Sequence, residues 1–223
     1  MPIDISEAAR RNDELINPDL IRCWLLWGFF WLLFAPTVGV LVSTKFNYPQ
    51  FLGNQAWFTF GRLRPVHVNG VIWGAFSTLF FGLAYYITPR LAGVRVWNER
   101  WGYLFLWIWN LNLVTAFLGL TVWGTNNGWE AGEMAIPNVI VLALVMTGIS
   151  TQLLMTVARR TQRQLYVSLW YLIGALVWTS INFVLLVIGP YWTVPGINNA
   201  ALHGLFIHYV VGLWITPAGY VLI

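Results

Sequence analysis

Charged residues and cysteine are scarce in this sequence. Charged residues make up 9% of its 223 residues, and Cys23 is the single cysteine. A lone cysteine excludes an internal disulfide and a structural zinc site built from cysteines. The low charge excludes an ordinary soluble domain, in which about a quarter of the residues are charged. The net charge of +4 comes mostly from connections between apolar runs, so it does not indicate a nucleic-acid partner.

Apolar residues are abundant instead and make up 58% of the chain. A membrane-spanning helix needs about 20 apolar residues to cross ~30 Å of hydrocarbon. Six runs are long enough, and they cover residues 22–44, 66–88, 102–123, 137–157, 166–189 and 199–223. Backbone polar groups in lipid have to be satisfied within each segment, so each run is predicted to be a helix. We therefore predict an all-α, polytopic membrane helix bundle over residues 21–223, preceded by a polar tail over residues 1–20.

Polar side chains inside the predicted spans are almost all amides and hydroxyls. No Asp, Glu, Lys or Arg lies deep within a span, which excludes a proton relay built from carboxylates in this chain. Amides and hydroxyls in such positions typically join helices by hydrogen bonds. The tryptophans lie mostly near the span ends, as in an interfacial belt.

The basic residues are distributed unequally between the two ends of the predicted bundle. One end and the polar tail together hold nine of the twelve: Arg10, Arg11, Arg22, Arg90, Arg95, Arg100, Arg159, Arg160 and Arg163. The other end holds Lys45, Arg62 and Arg64. The positive-inside rule therefore predicts a cytoplasmic N-terminus.

The segment 61-GRLRPVHVNG-70 opposes this bias, because it places Arg62, Arg64 and His67 at the outer start of the second span. Arg64 lies one helical turn before His67. A haem would explain both residues, since its iron takes an axial imidazole and its propionates attract guanidinium groups. The alternative is an interfacial histidine bonded to a carbonyl. Small residues that could leave room for a flat group follow on the same span: Gly70, Gly74 and Ala75.

A second candidate site is the acidic pair Glu130 and Glu133 in 123-WGTNNGWEAGEMAIP-137. These are the only acidic residues on the predicted outer side. Acidic residues near a helix start are favoured by the helix dipole, and Pro137 marks such a start. The alternative is a hard-cation site, because carboxylates beside haem propionates would repel them unless a metal such as calcium bridged the groups.

The last predicted span contains two further histidines, His203 and His208. They are five residues apart, so they differ by about 140° around a helix, and one of them is not expected to be a ligand. His208 lies deeper in the span, where an ionisable group indicates a functional site. Imidazole suits copper or iron. The alternative for His208 is a neutral side chain bonded between helices.

Three segments resemble the catalytic subunit of cbb3-type cytochrome c oxidases, the C-type branch of the haem-copper oxidases. They are GRLRPVH at 61–67, the glutamate pair in NNGWEAGEM and the HYVVGLWIT stretch of the last span. The resemblance runs from about residue 55 to 223 and implies the first half of a twelve-helix fold.

The resemblance also implies a role for each candidate residue. His67 would ligate the iron of a low-spin haem b, Arg64 would hold its propionates, and Glu130 would lie at a calcium ion. His208 would ligate copper B beside a high-spin haem b. The family reduces dioxygen with electrons from cytochrome c and pumps protons, which implies c-type cytochrome subunits as partners and the bacterial inner membrane as location.

The histidine content limits what this chain can do alone. Two haems and a copper ion of this type need six histidines, and the chain has three. We therefore expect that it is part of a longer or split subunit. Two alternatives remain: a nitric oxide reductase of the same superfamily, with non-haem iron in place of copper, and a non-catalytic haem-binding or structural membrane subunit.

Overall fold

A computed structural model describes residues 13–53, 55–190 and 196–222, so residues 1–12 of the predicted tail lie outside the described residues. Six helices are long and apolar enough to cross a membrane. They are α1 (Pro18–Asn47), α2 (Phe60–Ala92), α3 (Arg100–Trp123), α4 (Ile136–Ala158), α5 (Val167–Ile188) and α6 (Ile197–Val221). The described residues contain no strand. The predicted all-α membrane bundle is confirmed.

The start of α1 is fixed by local sequence signals. The Asn17 side chain accepts a hydrogen bond from the Leu20 N–H at 3.1 Å, and Pro18 occupies the first helical turn, where its missing N–H costs nothing. The same amide donates to Glu99 at 3.0 Å, just before α3. The N-cap of α1 therefore also joins two helices.

The arginine-rich ends of four helices meet at one end of the bundle. Arg90 near the end of α2 pairs with Asp13 before α1. The Thr161 N–H after α4 donates to the Ala92 carbonyl at 2.9 Å. Gly93 follows α2 with φ +69°, and a Cβ there would lie 2.4 Å from Thr161 Oγ1, so this crossing requires glycine. This arrangement agrees with predicted spans that alternate in direction. Which side of the membrane these ends face stays a prediction.

Small residues let α1 and α2 pack closely. A Cβ added to Gly70 would lie 2.8 Å from the Ala35 Cβ, and one added to Gly74 would lie 3.0 Å from Trp31. Ala75 is itself buried. The prediction that these small residues open space for a flat group is therefore wrong, because α1 fills that space by close helix packing.

Buried indoles hold the centre of the bundle together, in addition to the tryptophans near the span ends. Trp73, Trp109 and Trp214 are fully buried. The Trp214 N–H donates to Ser77 Oγ at 2.9 Å, which joins α6 to α2. Ser77 Oγ in turn donates to the Ile72 carbonyl at 2.8 Å within a π-helical turn over Gly70–Phe76. The prediction that hydroxyls and amides join helices is confirmed at this contact and at the Trp31–Asn110 bond of 2.7 Å.

Candidate haem and metal site

The first turns of α2 contain Arg62, Arg64 and His67, because this helix begins at Phe60 rather than at residue 66. Successive helical residues differ by about 100°, so Arg62 and Arg64 project in different directions. The structure gives each arginine its own partner. Both charges are thus accommodated within the protein, which lets the helix begin earlier than hydropathy alone predicts.

Arg62 caps the end of α3. Its Nη1 donates to the Thr121 carbonyl at 2.7 Å and to the Val122 carbonyl at 3.0 Å. Gly124 follows in the left-handed region, with φ +69°, and a Cβ there would lie 2.9 Å from Arg62 Nη2. The last carbonyls of a helix lack helical partners and carry its negative dipole end, so a guanidinium stabilises them. The sequence alone did not indicate this role for Arg62.

Arg64 lies between the two predicted acidic residues. Its Nη2 donates to Glu130 Oε1 at 2.5 Å, and its Nη1 lies 4.0 Å from Glu133 Oε1. The side chains of Arg64 and Glu130 are 40% and 44% exposed. Arg64 therefore keeps accessible N–H groups that could bind a further anion. The structure brings together Arg64 and Glu130, two of the predicted site residues, as an ion pair.

A tightly bonded loop between α3 and α4 presents both glutamates. The Asn127 side chain donates to the Gly132 carbonyl at 2.6 Å and to the Met134 carbonyl at 3.2 Å. Its Oδ1 accepts from the Trp129 N–H at 2.8 Å. Ala131 has φ +64°, a conformation that side chains other than glycine rarely adopt. The Asn127 side chain thus holds the backbone of this loop in a turn.

Glu133 is the buried member of the acidic pair, with a side chain 4% exposed. Asn69 on α2 donates to its Oε2 at 2.6 Å. Burial raises the pKa of the Glu133 carboxyl above its usual value, although the Asn69 donor and the Arg64 charge act in the opposite direction. Asn69 was not predicted, although its position two residues after His67 could have suggested it.

His67 is half-buried against α1. Its Nδ1 lies 2.8 Å from the Ala35 carbonyl oxygen. A carbonyl can only accept, so Nδ1 carries the proton and Nε2 carries the lone pair. A metal-ligating histidine commonly donates its other ring N–H to such a carbonyl. The chemistry of His67, with Arg64 one turn away, therefore fits an axial haem ligand beside a propionate.

His203 is engaged by the protein itself. Its Nε2 accepts a hydrogen bond from the Glu130 N–H at 2.8 Å. Its ring packs on Trp129 with the ring centroids 5.4 Å apart. The expectation that one of the two α6 histidines is not a ligand agrees with this contact, which joins α6 to the loop of the acidic pair.

His208 lies on an exposed part of α6. Within the part of the chain that the structure describes, no group of three or more His, Cys, Asp or Glu residues could hold a metal ion. The described residues therefore do not assemble a copper site, although His208 fits as one imidazole of such a site.

An apolar groove lies elsewhere, between α1, α2 and α3, with a volume of about 560 Å³. Its walls are apolar and include Phe34, Leu63 and Phe117. His67 and Arg64 are not among its lining residues. This groove is therefore not the candidate haem site.

Comparison with known proteins agrees with this geometry. The family model for cytochrome c and quinol oxidase polypeptide I matches residues 19–223. The chain is 23% identical over 205 residues to the cbb3-type cytochrome c oxidase subunit CcoN1 of Stutzerimonas stutzeri, covering 88% of this chain and 43% of that protein. It is 25% identical over 218 residues to cytochrome c oxidase subunit 1 of Rhodobacter capsulatus, covering 92% of this chain and 40% of that protein.

A cytochrome c oxidase subunit 1 homolog of Azorhizobium caulinodans is 24% identical over 209 residues, covering 88% of this chain and 37% of that protein. The chain thus spans about two-fifths of the length of the curated relatives that it matches. The family match extends over nearly all of the chain, from the first turn of α1 through α6. The chain belongs to the cytochrome c and quinol oxidase polypeptide I family, the haem-copper oxidases.

Proposed function

We propose that the chain is part of a terminal respiratory oxidase subunit of the cbb3 type, which reduces dioxygen to water with electrons from cytochrome c and translocates protons. The observation that carries this proposal is the orientation of His67. Its Nδ1 is held by the Ala35 carbonyl at 2.8 Å, so in the neutral imidazole the lone pair lies on Nε2. When bound there, a low-spin haem b would supply one-electron transfer.

In this proposal Arg64 binds the propionates through the N–H groups that Glu130 does not use. Its 40% exposed side chain is accessible to such an anion. Replacing Arg64 by alanine removes a positive charge, so the haem midpoint potential is expected to fall. An upward shift in a potentiometric titration would contradict this role.

A calcium ion at Glu130 remains a prediction with one structural condition. Calcium takes about six to eight oxygen ligands, and the Glu130 carboxylate is bonded to Arg64. Arg64 occupies Oε1, so a calcium ion would bind through Oε2 or would displace Arg64 from Oε1. Metal analysis of the purified protein, before and after chelation, tests this step.

His208 is proposed as one ligand of copper B beside a high-spin haem b. The other ligands have to come from residues outside this set of three histidines. In the nitric oxide reductase alternative, a glutamate four residues after this histidine would bind non-haem iron. Here that residue is Gly212, and a Cβ there would lie 3.9 Å from His208 Nε2. The position thus faces the imidazole but carries no oxygen ligand, which favours copper.

The third candidate is a non-catalytic haem-binding or structural subunit, which the three histidines of the sequence leave open. Copper distinguishes the three candidates. We expect stoichiometric copper for an oxidase, additional iron without copper for a reductase, and neither for a non-catalytic subunit. The proposal includes c-type cytochrome subunits as partners, a bacterial inner membrane location and a cytoplasmic N-terminus.

Two histidine variants test the proposal in the protein purified from membranes with its companion subunits. His67→Ala is expected to abolish the low-spin haem absorption while the protein still inserts. His208→Ala is the matched control, and it is expected to keep that absorption and to lose copper. An unchanged low-spin spectrum in His67→Ala would reject the haem assignment.

A further inference from the structure

The turn of α1 that contacts His67 has two features that act on the imidazole together. The Ala35 carbonyl lies 2.8 Å from Nδ1. A Cβ added to Gly39 would lie 2.6 Å from both the Cε1 and the Nδ1 of the ring, and 3.2 Å from Nε2. Residues four apart lie on the same helix face, so both contacts belong to one surface of α1.

We propose that Ala35 and Gly39 form a positioning cradle on α1 that sets the tautomer and the ring orientation of His67. The cradle rests on the proposed function, because it matters for electron transfer only if His67 is an axial ligand. Neither residue is proposed to touch the haem. Both act through the imidazole.

The Ala35 carbonyl sets the tautomer. A carbonyl oxygen has two lone pairs, so it can accept the imidazole N–H in addition to its own helical bond. In the opposite tautomer, an unprotonated Nδ1 would face the carbonyl oxygen and repel it. The bond therefore keeps Nε2 unprotonated and available to a metal, and a partner of this kind also raises ligand basicity.

Gly39 sets the position of the ring. Contacts below 3.0 Å are not sustained by real Cβ atoms, so an alanine at 39 forces a displacement. The ring atoms that it meets are rigid. Separating the two helices would instead lose the close packing of Gly70 of α2 against Ala35. The imidazole is therefore the group that moves, and its bond to the Ala35 carbonyl weakens with it.

The test is Gly39→Ala, compared with two glycine variants chosen from their surroundings. Gly28→Ala on the same helix meets Leu79 at 2.6 Å, so it reproduces the tight packing without an imidazole. Gly61→Ala meets nothing within 4 Å, so it controls for the substitution itself. All variants are made in the full protein, purified with its companion subunits.

The readouts are specific to the ligand. Electron paramagnetic resonance of the low-spin haem reports the imidazole orientation, and transfer of haem to apomyoglobin reports its retention. Loss of a residue that orients a metal ligand typically weakens metal binding by about 10–100-fold. We expect Gly39→Ala to shift the low-spin signal and to speed haem loss by at least about 10-fold, while Gly28→Ala and Gly61→Ala keep the parent signal.

An unshifted signal and parent-like haem retention in folded Gly39→Ala would overturn the proposal. If Gly39→Ala does not insert, proton ENDOR of the parent protein decides. We expect the exchangeable Nδ1 proton to resist exchange into D2O, and free exchange would overturn the proposal. Failure of the haem assignment looks different, because His67→Ala would then keep the low-spin absorption.

Discussion

Arg62 and Arg64 belong to one short motif, but the structure predicts that replacing each of them has a different effect. Arg62 bonds the end of α3, whereas Arg64 faces the acidic pair. Replacing Arg62 by alanine should destabilise the protein and leave the haem potential unchanged. Replacing Arg64 should lower the haem potential.

The magnitude for Arg62→Ala follows from its two bonds. A hydrogen bond to a charged group contributes about 1.5–3 kcal/mol when it is well buried. The bond to Thr121 is partly buried at 2.7 Å, whereas the bond to Val122 is exposed at 3.0 Å and contributes less. Water at the membrane surface replaces part of what is lost. We therefore expect a loss of about 2 kcal/mol in the free energy of unfolding.

The assay is thermal unfolding in detergent, followed by the fraction that remains monodisperse. A loss of about 2 kcal/mol corresponds to a fall of about 4–8 °C in Tm for a chain of this size. Arg62→Lys keeps the charge without the paired N–H groups, so it should recover about half of the loss. An unchanged Tm for Arg62→Ala, or a fall in its haem potential as large as that of Arg64→Ala, would refute the assignment.

Two further predictions concern stability. Burial raises the pKa of Glu133, so this carboxyl contributes stability that is fully present below its unfolded pKa and is lost as pH rises through its folded pKa. Glu133→Gln should therefore reduce the dependence of Tm on pH and be relatively more stable than the parent at neutral pH; an unchanged slope of Tm against pH would contradict this. Gly74→Val should lower Tm, because the added side chain forces Trp31 away from α2. Gly204→Val is the control, since a Cβ there meets nothing within 4 Å, and equal losses of Tm in the two variants would contradict close packing of α1 on α2.

The fold was largely predictable because the membrane imposes a simple rule. An apolar run of sufficient length in lipid has to be helical, and all six runs are helices. The boundary at residue 60 was missed because hydropathy counts Arg62 as a charge to be kept outside the span. Its cost is offset by the α3 carbonyls, which lie 59 and 60 residues away along the chain. No local pattern records that contact.

The structure pairs two of the candidate site residues in a way that the sequence did not predict. The sequence identifies Arg64 and Glu130 separately, because guanidinium and carboxylate groups near a membrane surface each need a partner. Their bond depends on the fold of the loop between α3 and α4, which carries Glu130. In this loop the Asn127 side chain bonds the Gly132 and Met134 carbonyls. The small residues Gly70 and Gly74 were misinterpreted, since a missing side chain serves close helix packing and cofactor space equally well.

The two histidines of α6 show how a tertiary contact assigns roles that helical spacing leaves open. Their separation of five residues shows that the two side chains point in different directions. It does not show which imidazole is available to a metal. The Glu130 N–H answers this, because it occupies His203 Nε2 at 2.8 Å. The lone pair of a ring nitrogen that accepts a hydrogen bond from a backbone N–H is not available to a metal. His208 is therefore the α6 imidazole to test for copper, and His203 is the residue that ties α6 to the loop on which Arg64 depends.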